Sequence, residues 1–289
     1  MSELVEATIE VNPESATVEL LETAREMGID RVSVGVQSLS DDQLERVGRI
    51  HCAAQAIEAL RRAKNLGFRT VSADLIIGLP GQEWQSLRTG LETLTGLGIE
   101  HISLYCLSVE DGTPLAISPP DDLPSDDMQA ELFEQASRFL EKRRFTHYEI
   151  SNFALIGHES LHNLNYWRGG EYLGLGPAAA SHLQGKRFNN RPDFHAYLRN
   201  PAGLTEGVEE LSVQEKAAEE AMLRLRLLSE GLNTNGLARR FGRENVEDLM
   251  GRLREMARAG SLIHDGSSYR LAPSRVLTSN PIFAGVLWS

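Results

Sequence analysis

Apolar residues in the first hundred positions follow two alternating rhythms. Short runs at Ala7–Val11, Val32–Val36, Val71–Ile77 and Ile102–Leu107 read as buried strands. Between them, apolar side chains recur every three or four residues: Leu20, Leu21, Ala24 and Met27, then Ala56, Ile57, Leu60 and Ala63, then Leu87, Leu91 and Leu94. That spacing predicts one helix between each pair of strands, closed by Gly28, Gly67 and Gly96 or Gly98. Asn12-Pro13 is expected to open the first helix, with Asn as cap and Pro at the first turn. Ser40 and Gln43 fit a capping box for the next, with Leu39 as its staple. Strand-then-helix units at roughly 25 to 40 residues imply right-handed crossovers and a parallel sheet, an α/β fold.

The rhythm then changes. Pro119-Pro120-Asp121-Asp122-Leu123-Pro124-Ser125-Asp126-Asp127 is a proline-broken acidic loop, and Ser125 is a candidate cap for a helix over Met128–Arg143. Tyr148–Phe153 reads as one further strand. From Ser212 the pattern is helical over Glu215–Leu228, Asn233–Phe241 and Val246–Ala259. A hairpin about Asp265-Gly266 ends that group, giving a winged-helix-like arrangement. The expected division is 1–115, a parallel α/β region; 116–205, an α+β region; and 206–289, the helical tail.

Charge narrows the partners. Residues 212 to 263 carry nine Arg/Lys against eight Asp/Glu, a net of +1, and the whole chain carries −12, so no nucleic-acid partner is expected. No apolar run reaches the length of a membrane span, and the opening Met-Ser-Glu-Leu-Val-Glu has neither basic start nor apolar core, so the expected location is cytoplasmic. Cys52 and Cys106 are far apart and are expected to be buried, inert thiols.

Two sets of residues carry candidate chemistry. Glu10, Gln37 and Asp74 fall at or near strand ends and Arg49 lies in a following loop, the positions where a parallel barrel builds its site. Facing one mouth, they could hold a ligand bearing amino, carboxylate and ribose groups. Each also has an ordinary structural reading, although Asp74, inside an apolar strand, requires a polar partner. The second set is His162-Asn163-Leu164-Asn165-Tyr166-Trp167, continuing through Tyr172 and Gly174-Leu175-Gly176-Pro177 to Ser181-His182. An imidazole beside flat rings with polar tips suits a large planar ligand such as a porphyrin, while the same rings could equally be core.

Several segments in order, Thr8-Ile9-Glu10-Val11-Asn12-Pro13, Ser33-Val34-Gly35-Val36-Gln37-Ser38, Gly48-Arg49-Ile50-His51, Asp74-Leu75-Ile76-Ile77-Gly78-Leu79-Pro80-Gly81 and Tyr148-Glu149-Ile150-Ser151-Asn152-Phe153-Ala154, resemble the coproporphyrinogen oxidase-like branch of the radical S-adenosylmethionine (SAM) superfamily. The hexad His162–Trp167 resembles that of its heme-chaperone members, the HemW family. The resemblance implies a partial radical-SAM (β/α) barrel over 1–115, a heme-site region over 116–205 and a family-type winged-helix-like tail. It also implies SAM contacts at Glu10, Gln37, Arg49 and Asp74, and heme contacts at His162, Asn163, Tyr166 and Trp167, with His162 the candidate iron ligand. The function implied is uptake of heme and its delivery to an acceptor protein; the alternative is oxygen-independent coproporphyrinogen III oxidation. The family also binds a [4Fe–4S] cluster through a Cys-x-x-x-Cys-x-x-Cys loop that this sequence lacks. The chain therefore resembles a family member from the third barrel strand onward. A truncated form is expected, the rival being a member that gave up SAM chemistry, and its first strand is expected to be an uncovered edge.

Overall fold

The computed structural model describes residues 4–201, 203 and 205–287; residues 1–3, where the polar N-terminal reading begins, lie outside the described ones. The chain divides into two compact units between Glu159 and Ser160.

The first unit runs β1 (Thr8–Val11), α1 (Val18–Glu26), β2 (Arg31–Gln37), α2 (Asp41–Arg46), α3 (Ala53–Asn65), β3 (Thr70–Ile77), α4 (Trp84–Gly96), β4 (His101–Cys106), α5 (Pro114–Ile117), α6 (Asp126–Glu141), β5 (Thr146–Glu149) and β6 (Asn152–Ala154). Its sheet has the order β1-β2-β3-β4-β6-β5. The first four strands are parallel, and β6 and β5 close the far side antiparallel. The fold is thus α/β with a mostly parallel sheet, and β1 forms one edge of it among the described residues.

Because side chains alternate along a strand, register sorts the sheet into two faces. Val32, Val34 and Val36, Val71, Ala73, Leu75 and Ile77, Ile102 and Leu104, and Phe153 share one face and are all buried. The helices that pack on the sheet bring their own apolar stripes, such as Ala56, Leu60 and Ala63 of α3 and Phe133, Ala136 and Leu140 of α6. The opposite face carries Glu10, Arg31, Ser33, Asp74, His101, Ser103 and Asn152.

Four local expectations are corrected. Residues 12–15 form a turn rather than a helix start, and α1 begins at Val18, capped by Thr17, whose side chain accepts from Leu20 N–H at 3.1 Å. Pro13 is buried in that turn, so packing overrode its helix-start signal. Ser40 precedes α2 but makes no side-chain cap bond; Gln43 instead accepts from Ser38 Oγ at 2.7 Å and donates to Ser86 Oγ at 3.2 Å, a buried tertiary link. Tyr148–Phe153 is not one strand: β5 and β6 turn back on each other at Ile150-Ser151. Cys106 is exposed and Cys52 half-buried, both free thiols. Strand β6 pairs only with residues 101–103 of β4, leaving the end of β4 without that neighbour.

The second unit opens with α7 (Leu161–Trp167), followed by β7 (Ala180–Leu183), β8 (Lys186–Asn190), α8 (Phe194–Arg199) and β9 (Thr205–Glu209), where β7, β8 and β9 form an antiparallel sheet. Then come α9 (Val213–Leu225), β10 (Leu232–Asn233), α10 (Thr234–Phe241), α11 (Arg243–Arg258), β11 (Leu262–His264), β12 (Ser268–Leu271) and α12 (Asn280–Leu287), with a small sheet β10-β12-β11 against the helices. Helix α9 carries a full capping box: Ser212 accepts from Glu215 N–H at 3.2 Å and Glu215 accepts from Ser212 N–H at 2.7 Å.

Candidate functional sites

On the polar face of the first sheet, Glu10 pairs in register with Ser33, and Asp74 with Ser103. Ser33 Oγ lies 3.1 Å from both Asp74 oxygens. Burial pushes the Asp74 carboxyl above its ordinary range; hydrogen bonds from Ser103 and Ser33 pull it back, the Glu10 charge raises it and Arg31 lowers it. Tyr105 on the next strand is pushed up to about 12, chiefly by burial and then by the Asp74 charge.

Gln37 reaches this face by a different device. The β2–β3 register slips between Val34 and Gln37, a bulge, and Gln37 takes a left-handed backbone at φ 64°. Its amide folds back over Gly35, where a Cβ would lie 2.9 Å from Gln37 Nε2 and 3.4 Å from Asn12 Oδ1, so a side chain there would displace the end of the Gln37 amide. Arg49 stands half-buried in the turn after α2, where its N–H donates to Leu44 O at 2.9 Å. Next to it, His51 is buried, with Nε2 3.1 Å from Val36 O and Nδ1 3.4 Å from Glu14, tying that turn to the end of β2. The structure thus gathers Glu10 and Asp74 with Gln37 at the end of the same face; no hydrogen bond or ion pair joins Arg49 to them among the described residues.

Deeper on the same face lies a set of which only Tyr148 and Asn152 fall within the quoted segments. Arg31, 2% exposed, donates to His158 O at 2.9 Å and sits 3.9 Å from Glu6. His101 is buried with Nδ1 2.7 Å from Ser72 Oγ and Nε2 2.9 Å from Tyr148 Oη, and burial holds its imidazole well below the usual histidine range, so it is neutral. Asn152 Oδ1 is buried without a hydrogen-bond partner among the described residues. The signal was present as period-two polarity, Arg31-Ser33-Gly35, Ser72-Asp74 and His101-Ser103-Tyr105, but apolar neighbours masked it.

The second unit holds a cavity of about 610 Å³, inside the range of ~300–1,000 Å³ common for small-ligand sites. Tyr166, Trp167, Tyr172 and Phe241 supply its aromatic wall, and His182, Arg187, Lys216 and Arg240 its nitrogen groups. Helix α7 is placed by Ser160, whose Oγ accepts from Asn163 N–H at 3.3 Å. Along it, His162 and Tyr166 are one turn apart and meet edge-to-face at 4.5 Å; Tyr166 meets Tyr172 at 4.6 Å and 89°, and Tyr172 lies 6.1 Å from His182. Burial raises the Tyr166 phenol, with Tyr172 adding to it. The Trp167 ring sits under Arg226 at 5.0 Å, and its buried Nε1–H has no acceptor among the described residues.

The rim is stapled from several directions. Gly174 N–H donates to Ser181 Oγ at 3.0 Å, Asn190 Nδ2 donates to Gly176 O at 2.8 Å, and Gly176 N–H donates to Tyr197 Oη at 2.8 Å. A Cβ on Gly174 would fall 2.2 Å from Ala180 O, so this loop packs too closely on β7 for any side chain. Arg187 pairs with Glu219, and Arg240 with Glu220 at 2.7 Å; Lys216 has no carboxylate within ion-pair distance among the described residues.

Of the hexad, Tyr166 and Trp167 line the cavity. His162 is exposed and Asn163 half-buried, and neither contributes to the lining. Sequence reading did not flag Arg187, Lys216, Arg240 or Phe241, which come from β8, α9 and α10 and share no local pattern with the hexad.

Residues 2–94 match the radical SAM superfamily, and residues 211–274 match the HemN C-terminal domain. The structure superposes on coproporphyrinogen III oxidase (HemN) from Escherichia coli with a TM-score of 0.81 at 18% identity, over 98% of this chain and 68% of that one. Together with the one-sided polar sheet, this defines the fold as that of a radical SAM superfamily protein. The heme chaperone HemW of Bacillus subtilis is 33% identical over 99% of this chain and 77% of its own length, and that of Lactococcus lactis 35% identical over 77% of this chain and 60% of its own. The chain belongs to the HemW family. The matched region of the Haemophilus influenzae heme chaperone HemW, 38% identical, is about half of that protein, 52%.

The superfamily implies SAM and a [4Fe–4S] cluster. Three cluster thiolates cannot come from a chain with two cysteines, and Cys52 and Cys106 stand on different elements, at the start of α3 and the end of β4. The residues of this chain do not fit the cluster. They do fit a polar ligand on the sheet face, where Asp74 is desolvated and Asn152 Oδ1 is unsatisfied.

Proposed function

We propose that this chain takes up heme in the cavity of its second unit and passes it to an acceptor protein; its relatives are named heme chaperones. The observation that carries this reading is the cavity itself: two rings of the hexad, Tyr166 and Trp167, form its wall together with Tyr172 and Phe241, beside Lys216, which pairs with no carboxylate among the described residues. A macrocycle with an apolar body and carboxylate side chains matches that division of surface. His162 and Asn163 complete the hexad at the start of α7, with His162 the candidate iron ligand by resemblance.

On the first unit, Glu10, Gln37, Arg49 and Asp74 are the proposed SAM contacts. The desolvated Asp74 carboxylate suits ribose hydroxyl donors, and Glu10 and Gln37 suit an amino group. Heme uptake is a binding event, carried by side chains of the second unit alone.

The test is a titration of the purified chain with hemin, followed by the Soret band and by quenching of tryptophan fluorescence. A saturable change at one equivalent, with heme then released to an apoprotein acceptor, is the expected result. Absorbance that grows linearly like free hemin would refute the reading.

A further inference from the structure

The carboxylates that line the second unit's cavity are already engaged. Glu171 Oε1 accepts from Gln184 N–H at 2.5 Å. Glu219 pairs with Arg187, and Glu220 pairs with Arg240 at 2.7 Å and with Arg224 at 3.0 Å. Those pairs also neutralise the two lining guanidinium groups. Lys216 is different: among the described residues its ammonium has neither an ion pair nor a side-chain hydrogen bond. It is half-buried near the start of α9 and lies over the turn of the β7–β8 hairpin, where a Cβ on Gly185 would stand 3.4 Å from Nζ and 3.7 Å from Cε. That is ordinary van der Waals separation, so the turn limits where the lysine head can go without binding it. An ammonium offers three donors and no acceptor, so it calls for oxygen, above all a charged one. Leu223, seven residues on, lines the cavity from the same helix. Two turns separate them, so α9 presents a cationic end and an apolar end about 10 Å apart on one face.

We infer that Lys216 makes this cavity selective for ligands with a free carboxylate, its ammonium anchoring one propionate at the hairpin end while the macrocycle lies along α9 toward Leu223. This rests on the reading of the cavity as the heme site and names the residue that sets specificity within it. The paired arginines are poorer anchors, because a ligand carboxylate would first have to displace Glu219 or Glu220. At Lys216 the ligand supplies a counter-ion that the protein does not.

The experiment crosses protein against ligand. Wild type, Lys216→Met and Lys216→Arg are each titrated with hemin and with hemin dimethyl ester at one detergent concentration, read by Soret absorbance and by quenching of tryptophan fluorescence. Wild type should bind hemin about tenfold more tightly than the ester, the scale of one charge-assisted hydrogen bond. Lys216→Met should lose that preference yet bind the ester as wild type does, which also shows that its cavity is intact. Lys216→Arg should keep the preference. If Lys216→Met retains it, or weakens for hemin and ester alike, the selection of a carboxylate by Lys216 is overturned and the heme reading stands. If wild type binds neither ligand saturably, the heme reading itself falls and takes this inference with it.

Discussion

On the sheet of the first unit, Glu10, Ser33, Asp74 and Ser103 share a face because side chains alternate and register places their strands side by side. In the second unit, Tyr166, Tyr172 and His182 meet because a helix, a loop and a strand are stapled by Ser160, Ser181, Asn190 and Tyr197. The first site is built on backbone periodicity: Ser103 is buried, Ser33 and Asp74 are half-buried and Glu10 is exposed, with Ser33 bonded to Asp74 across strands. The second is an open-sided cavity whose rim depends on side-chain hydrogen bonds and on a glycine that admits no Cβ. Periodicity gives rigidity at the cost of desolvated charge; a stapled loop leaves room for a large ligand.

The largest expected effect lies on the sheet. Arg31→Met leaves His158 O without its donor and Glu6 without one of its cations, and it should destabilise the first unit by about 3–5 kcal/mol, read by urea unfolding. A loss under 1 kcal/mol would show that the buried cation is not a structural requirement of that face.

Acid should act next. His147 is pulled down to about 4, mainly by burial, although the Ile150 carbonyl raises it, and His101 is lowered in the same direction. An unfolded histidine titrates near 6.5, so the unfolded chain binds more protons below that value. Stability should hold above about pH 6.5 and fall as pH drops from there through about 4, by about 3 kcal/mol for His147. His147→Gln, which keeps a donor for Ile150 O, should flatten that acid limb in unfolding midpoints at pH 7, 6 and 5. An unchanged slope would assign acid sensitivity elsewhere.

Gly174→Ala probes the other region. Its Cβ would meet the Ala180 carbonyl, a backbone atom that cannot rotate away, so the rim must shift, at about 1–3 kcal/mol. Hemin binding should weaken with it, and unchanged stability and binding would show the rim to be more compliant than its staples suggest. The smallest effect has the opposite sign. Ionised Asp74 is held in a desolvated site, so Asp74→Asn should stabilise the first unit at pH 7 by roughly 1 kcal/mol. Because a protonated carboxyl no longer bears that penalty, the gain should shrink as pH falls toward the carboxyl's own titration. A calorimetric midpoint that drops at pH 7 would mean that the bonds from Ser33 and Ser103 outweigh the desolvation.

The α/β class, the parallel strands and most helix limits were legible in the sequence, since apolar spacing is a local record of which face is buried. Glu10, Gln37, Asp74 and the rings Tyr166 and Trp167 stood out for the same reason: each is a polar or aromatic break in a regular pattern. What the sequence did not disclose depended on contacts between distant segments. Gln43 abandoned the predicted capping box for Ser38 and Ser86 because a buried amide gains more from two tertiary partners than from an exposed cap. Cys106 emerged exposed because β6 stops short of it. The cavity's cations come from β8, α9 and α10, so no single window of sequence contains them. The sequence singled out His162 of the hexad, whereas the imidazole that lines the cavity is His182. Tertiary structure brings His182 to the lining, between Gly170 O and the Tyr172 ring, through contacts that no local pattern records.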